Sequence, residues 1–281
     1  MIKKFTPVLE WGTLLLSTGT VCFFLIVILW DLISKGAPSL SWDFVSSLPK
    51  DGMTKGGILP AITGTVLLTL ITAFVATPFG ISCAIYLNEY ASDTWLTRLI
   101  RASIRNLAGV PSIIYGLFGL ALFVQGLQMG TSLLSAGLTL GLLSLPYIII
   151  TTEEALRRIP ASTREAALAV GATQFESIRD VVLPSALPGI LTGVVLTLSR
   201  AAGETAPILF TGVAFYINSS TGYLNQEFMA LPYHLYMLST QHQAIEEVRP
   251  LAYGTALVLI IVVFFLNLTA FYIRYKHSKN D

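Results

Sequence analysis

The chain has 281 residues, of which 54% are hydrophobic and only 12% charged, roughly half the charge usual for a soluble domain. Its formal net charge is +1, which leaves no electrostatic footprint for nucleic acid. The two cysteines, Cys22 and Cys83, fall in apolar stretches, where a free thiol behaves as a small hydrophobe, so no disulfide is expected.

No Asp, Glu, Lys or Arg lies between Glu10 and Asp31, Lys55 and Glu89, Arg105 and Glu153, or Arg249 and Arg274. Each gap can hold the ~20 apolar residues that cross a bilayer at 1.5 Å rise, and the third can hold two such runs. Six helices are expected, at 11–33, 58–87, 107–126, 132–151, 185–212 and 251–273. The apolar run after Lys3 and Lys4 is too long for the core of a cleavable signal, and no Ala-x-Ala site follows, so it reads as a retained first helix.

Even parity puts both termini on one side, and the basic residues say which. Lys3, Lys4, Arg98, Arg101, Arg105, Arg157, Arg158, Arg164, Arg179, Arg274, Lys276 and Lys279 fall on one set of loops and ends, against Lys35, Lys50, Lys55 and Arg249 on the other. Cytoplasmic segments carry the excess, so the larger set is predicted to face the cytoplasm. Arg200 belongs to neither set. It sits within the fifth apolar segment, four residues before Glu204.

The loop 161–184 reads ASTREAALAVGATQFESIRDVVLP. Ser162 and Glu165 have the spacing of a capping box, which starts a helix there. Gly171 suits its C-terminus, and a second short helix is expected from Thr173 towards Val182. A polar knob of two helices suits docking; the same pattern also fits a well-capped amphipathic loop with no partner. Beyond it, Arg200 stands fifteen residues past Ser185, ~22 Å along a helix. That places it deep in the bilayer or in its outer half. A guanidinium there costs at least ~2.5–3.5 kcal/mol on insertion scales and should face the bundle interior or a watered cavity. Glu204 can pair with it at i+4. The arginine then either offers a bidentate fork to an oxyanion or completes a structural pair that fixes helix packing. Gly203 and Pro207 loosen the helix around it. Ser112 and Tyr115 either line the same path or belong to ordinary helix packing. The segment 213–250 reads as a long external connection, within which 228–238 is apolar enough to lie against the membrane or re-enter it.

Glu165-Ala166-Ala167, Gly171, Val181, Leu183 and Pro184 resemble the EAA loop of ATP-binding-cassette (ABC) importer permeases, with pattern EAA-x3-G-x9-I-x-LP. Val181 departs conservatively from isoleucine. The segment from Leu198 to Pro207, containing Arg200-x2-Gly203-Glu204-Thr205-Ala206-Pro207, is similar to the signature of phosphate-transport (Pst) permeases, PstA-like subunit. The blocks Ala108 to Phe118 and Leu145-Pro146-Tyr147 share the likeness, which spans roughly 60–275.

The resemblance implies an all-α integral membrane protein, a type I ABC importer permease of about six transmembrane helices with a cytoplasmic EAA coupling loop. Residues 1–57 would hold an N-terminal transmembrane helix and external loop, and 58–281 the permease core with five helices. Its coupling residues would be Glu165, Ala166, Ala167, Gly171, Leu183 and Pro184, and its substrate path Arg200, Glu204, Thr205, Ser112 and Tyr115. The implied partners are a PstC-like second permease half, two PstB-like ATPase subunits, a periplasmic PstS-like phosphate-binding protein, and membrane lipid. The chain has no Gly-Lys dipeptide and hence no Walker A loop; no cofactor is expected on it, and ATP would be hydrolysed on the partner. Sulfate, molybdate and tungstate permeases share the Arg-x2-Gly-Glu core, so another oxyanion is the alternative, and Thr205-Ala206-Pro207 favours phosphate. An ion-coupled secondary carrier, using Arg200 and Glu204 as a relay, is the rival from another class. The scattered His234, His242 and His277 have no ligand spacing, so no metal site and no catalytic residues are expected.

Overall fold

The computed structural model describes residues 6–217 and 224–278. Lys3, Lys4 and Lys279 of the charge-sorting argument, and part of the external connection, lie outside the described residues. Among the described residues, five helices are long and apolar enough to cross a membrane: Trp11–Ser39, Leu59–Tyr90, Leu133–Arg157, Gln174–Ala201 and Ile245–Thr269. A helix pair, Trp95–Ala108 and Ser112–Gly126, bent by 100°, brings the number to six if the pair counts as one span.

Helix α1 (Thr6–Gly36) is apolar on every side and exposed from Trp11 to Trp30, which suits lipid. Near its end Asp31 pairs with Lys35 at 2.6 Å, and Tyr253 of the last helix donates to Asp31 at 3.3 Å. The connection that follows holds α2 (Trp42–Ser46), N-capped by the Ser41 hydroxyl, and a small antiparallel pair, β1 (Pro49–Lys50) and β2 (Lys55–Gly56). Helix α3 (Leu59–Ile85) continues through a π turn, Tyr86–Tyr90, at its C-terminal end.

The third expected helix, 107–126, is not one helix. Helix α4 (Trp95–Ala108), N-capped by Thr94, carries Arg98, Arg101 and Arg105 and ends at Gly109. The chain then turns and restarts as α5 (Ser112–Gly119), which runs on as a π turn to Gly126. Pro111 causes the break, because its ring forces Val110 out of the helical region and it has no N–H to continue the ladder.

Helix α6 (Leu133–Arg157) is the centre of the bundle, packed along α3 on one side and α9 (Leu183–Ala201) on another. Its first N–H groups, which have no partner within the helix, donate to carbonyls of the external connection: Leu133 to Gln226 and Leu134 to Leu224. From Phe228 to Leu238 that connection is largely buried. Phe228, Met229 and Leu231 are fully buried, and α11 (Leu231–Thr240) packs on α3 and α12 (Ile245–Ser278). The Leu231 N–H donates to the Thr65 hydroxyl on α3 at 2.8 Å.

Two further expectations are corrected. The Ser162–Glu165 capping box does not form: α7 (Ala161–Ala169) begins directly after Pro160, which sets its start without a side-chain cap. The capping box stands instead at Thr173 and Glu176. The second short helix of the loop is also not separate. It begins at α8 (Gln174–Glu176), passes through a π turn at Ser177–Val182 and runs into α9. The π turn ends two residues before Pro184, whose ring lacks the N–H a regular α turn requires.

Candidate functional site

The fifth expected helix, 185–212, ends at Ala201. A tight turn follows, with Gly203 N–H on Arg200 O at 3.0 Å and Glu204 N–H on Ala201 O at 3.1 Å, before the four-residue α10 (Ala206–Leu209). Arg200 therefore stands at the C-terminal end of α9, where carbonyls without helical partners favour a cation. The pairing with Glu204 survives the break: Nε and Oε1 are 3.5 Å apart.

Tyr147 of α6 lies under the guanidinium, with the Arg200 Cζ 4.4 Å from the ring centre. Its position is fourteen residues after Leu133 and ten before Arg157, or about 21 and 15 Å from the two ends of α6, so the pair lies in mid-span. The Tyr147 hydroxyl donates to Ala108 O at 2.6 Å, and the Tyr115 hydroxyl to Leu107 O at 3.0 Å. Two phenols thus satisfy the last carbonyls of α4 at its bend, and one of them carries the arginine. Beside them Ser199 donates to Asn267 Oδ1 of α12 at 3.0 Å, which fixes the last turn of α9 laterally.

The space enclosed by Leu143, Ser144, Tyr147, Thr197 and Glu204 beside Arg200 amounts to about 10 Å³, too little for an anion. The arginine side chain nevertheless keeps 53% of its surface exposed, against 17% for Glu204. Its open side faces out of this chain's own bundle.

Arg200 and Glu204 are paired over Tyr147, Tyr115 bonds the same end of α4 as Tyr147, and Ser112 opens α5 at the bend. Thr205 caps α10 without a side-chain hydrogen bond, and the residues after it serve packing. Pro207 is buried against α5, where a Cβ on Gly116 would meet Pro207 Cα at 2.9 Å and the Phe210 ring at 3.0 Å. Tyr147 was absent from the expected set. A neutral aromatic in an apolar run carries no compositional signal, and only its place in the Leu145-Pro146-Tyr147 block marked it.

At the other end of the bundle, α7 closes with Gly171 at φ +92°. The Gly171 N–H bonds to Leu168 O at 3.0 Å and the Ala172 N–H to Ala167 O at 3.2 Å, the paired bonds of a Schellman cap. Glu165 and Ala166 are exposed and Ala167 is buried. Leu168, Val170 and Phe175 expose 49, 86 and 61% of their surfaces, an apolar group on an otherwise polar loop. Leu183 packs into the core with Val182 and Ile190, while Pro184 is exposed.

Residues 76–278 match the family described as binding-protein-dependent transport system inner membrane component. The chain belongs to this family. It is 30% identical over 281 residues to the probable ABC transporter permease protein YqgI of Bacillus subtilis, covering 96% of this chain and 95% of that one. It is 38% identical over 239 residues to the phosphate transport system permease protein PstA of Xylella fastidiosa, covering 85% and 82%. In fold it resembles the inward-facing MetNI methionine ABC transporter, with a TM-score of 0.65 at 20% identity over 78% of this chain and 95% of that one. This permease is a multi-pass inner-membrane subunit with the type I importer fold. It works with an ATPase and a substrate-binding partner, and ATP is hydrolysed on the separate subunit.

Proposed function

We propose that this permease forms one half of the membrane pathway of a phosphate importer, with Arg200 supplying the charge the oxyanion meets in mid-span. The observation that carries the reading is that guanidinium. It is held from one side by Tyr147 and Glu204 and open on the other. Its planar donor fork matches a tetrahedral oxyanion. The name of the Xylella fastidiosa relative supports phosphate among the oxyanions.

Glu204 balances Arg200 when no anion is present, and Ser112, Tyr115 and Thr205 line the approach. The open face of the arginine meets a second, PstC-like permease half across a pseudo-two-fold axis. The loop 161–184 faces the cytoplasm, as do both termini. There Glu165, Ala166, Ala167 and Gly171 present α7 to a PstB-like ATPase, while Leu183 and Pro184 join the loop to α9. The exposed Leu168, Val170 and Phe175 suit an apolar groove on that ATPase. A periplasmic PstS-like protein delivers phosphate to the outer face.

The test is to purify the assembled complex and measure which oxyanion, presented by the binding protein, stimulates ATP hydrolysis. Phosphate is expected to do so. Stimulation by sulfate, molybdate or tungstate and not by phosphate would contradict the reading.

A further inference from the structure

The C-terminal end of α3 carries a charged contact that the substrate path does not use. The π turn Tyr86–Tyr90 presents Glu89 inward, and only 6% of its side chain is exposed. Arg164 of α7 grips this carboxylate with both sides of its fork, Nε on Oε2 at 2.9 Å and Nη2 on Oε1 at 2.7 Å. The same guanidinium donates to Leu156 O at 3.0 Å, in the last turn of α6, and to Ile159 O at 2.8 Å, just beyond its end. Asn88 Nδ2 braces Oε1 at 2.7 Å, and Gln174 Nε2 donates to the Glu89 carbonyl at 2.7 Å. One ion pair therefore joins the ends of α3 and α6 to α7, and Gln174 adds the start of the α9 run.

We propose that Glu89 and Arg164 are positioning residues, forming the joint through which movement of the loop 161–184 is delivered to α3 and the rest of the bundle. The inference rests on the reading of that loop as the ATPase-docking element. What surrounds the joint supports it. Helix α7 packs chiefly on the turn 177–182. Between loop and bundle lies a cavity of about 760 Å³ whose lining includes Asn88, Glu89, Arg157, Arg164 and Gln174. Polar bonds, rather than apolar contact, thus set where α7 sits against α3. Charge-assisted bidentate bonds have a narrow geometry and are stronger than neutral ones, so they transmit displacement where a water-filled gap would absorb it. From α3 the path is continuous, since α3 packs along α6, α6 carries Tyr147, and Tyr147 carries Arg200. The charge pair Arg101–Glu153, at 3.0 Å, ties α4 to α6 within the bundle and involves no loop residue.

The test uses the complete complex in proteoliposomes, measuring phosphate transported per ATP hydrolysed together with the amount of ATPase that co-purifies. Glu89→Gln and Arg164→Gln are expected to keep the ATPase bound while lowering the transport ratio roughly tenfold. The double variant should be no worse than the deeper single, because the two residues act as one unit. Arg164→Lys, which keeps the charge but not the fork, should recover part of the ratio. If the glutamine variants do not assemble, Glu89→Asp is the variant to use, with a lowered ratio expected. A native ratio in any variant that assembles, or losses that multiply in the double, would overturn the joint. Glu165→Lys separates this from the underlying reading: it should release the ATPase. Were it to retain both ATPase and transport, the docking assignment itself would fall. ATPase loss in Glu165→Lys alongside native ratios at Glu89 and Arg164 would remove the joint alone.

Discussion

The guanidinium of Arg200 lies 4.4 Å from the centre of the Tyr147 ring, and the hydroxyl of the same tyrosine donates to the carbonyl of Ala108. One side chain thereby links the charge at the end of α9 to the bend between α4 and α5. A shift in either helix is felt at the arginine.

Tyr147→Phe keeps the ring under the cation and loses the hydroxyl's polar contact with Arg200 and its bond to Ala108, worth about 0.5–1.5 kcal/mol. Phosphate uptake should stay within about tenfold of the native protein. Tyr147→Ala removes both supports, and with them a cation–π contact of about 0.5–2 kcal/mol, so uptake should fall further. Uptake kinetics on cells with equal permease levels check this; equal losses in the two variants would show that the ring does not matter.

Gly171 has φ +92° and open space where a Cβ would project. Substitution there acts through backbone conformation alone. Asn tolerates the left-handed region and should preserve the complex, whereas Val and Pro should displace α7 and lose the ATPase. Co-purification of the ATPase distinguishes these outcomes, and retention with Gly171→Pro would contradict them.

Much of the bundle was legible in the sequence because a transmembrane span is a sum over about 20 residues, which hydropathy reads well. Breaks inside apolar runs were not. Val110-Pro111 and the turn after Ala201 interrupt helices without ending the apolar segment around them, so 107–126 and 185–212 read as continuous. Arg200 and Glu204 were visible because charge is rare inside such runs. Glu89 marked only the edge of a charge gap, since its partner Arg164 is 75 residues away. Of two sequences with capping-box spacing, Pro160 pre-empted the first, and the second, Thr173 to Glu176, forms.

His234 of α11 is buried, its Nδ1 has no hydrogen-bond partner among the described residues, and burial together with nearby His242 pushes its pKa down to about 4. Because the folded value lies below the unfolded one, the unfolded chain binds the proton first. Stability is therefore present at pH 7 and is lost as pH falls from about 6.5 towards 4. The loss between pH 7 and 5 should be about 2 kcal/mol. Thermal unfolding of the detergent-solubilised protein measures it. His234→Leu should flatten the acid slope, and an unchanged slope would refute this role for the imidazole.

A reporter enzyme active only in the periplasm, fused after residue 281, should remain silent, because the excess of Lys and Arg predicts a cytoplasmic position for that end. Reporter activity would invert the topology and move the loop 161–184 away from any cytoplasmic ATPase.

The most direct measurement concerns Arg200 itself. In membranes holding native amounts of assembled complex, Arg200→Gln should reduce phosphate uptake to background. Exchanging the pair, Arg200→Glu with Glu204→Arg, should leave the protein inactive even when it is well expressed, because the cation must stand over Tyr147. A purely structural pair behaves otherwise: removing one partner would lower the protein's stability, and the exchange would restore it. Native-rate phosphate transport by the exchanged protein would contradict the assignment of Arg200 to the path.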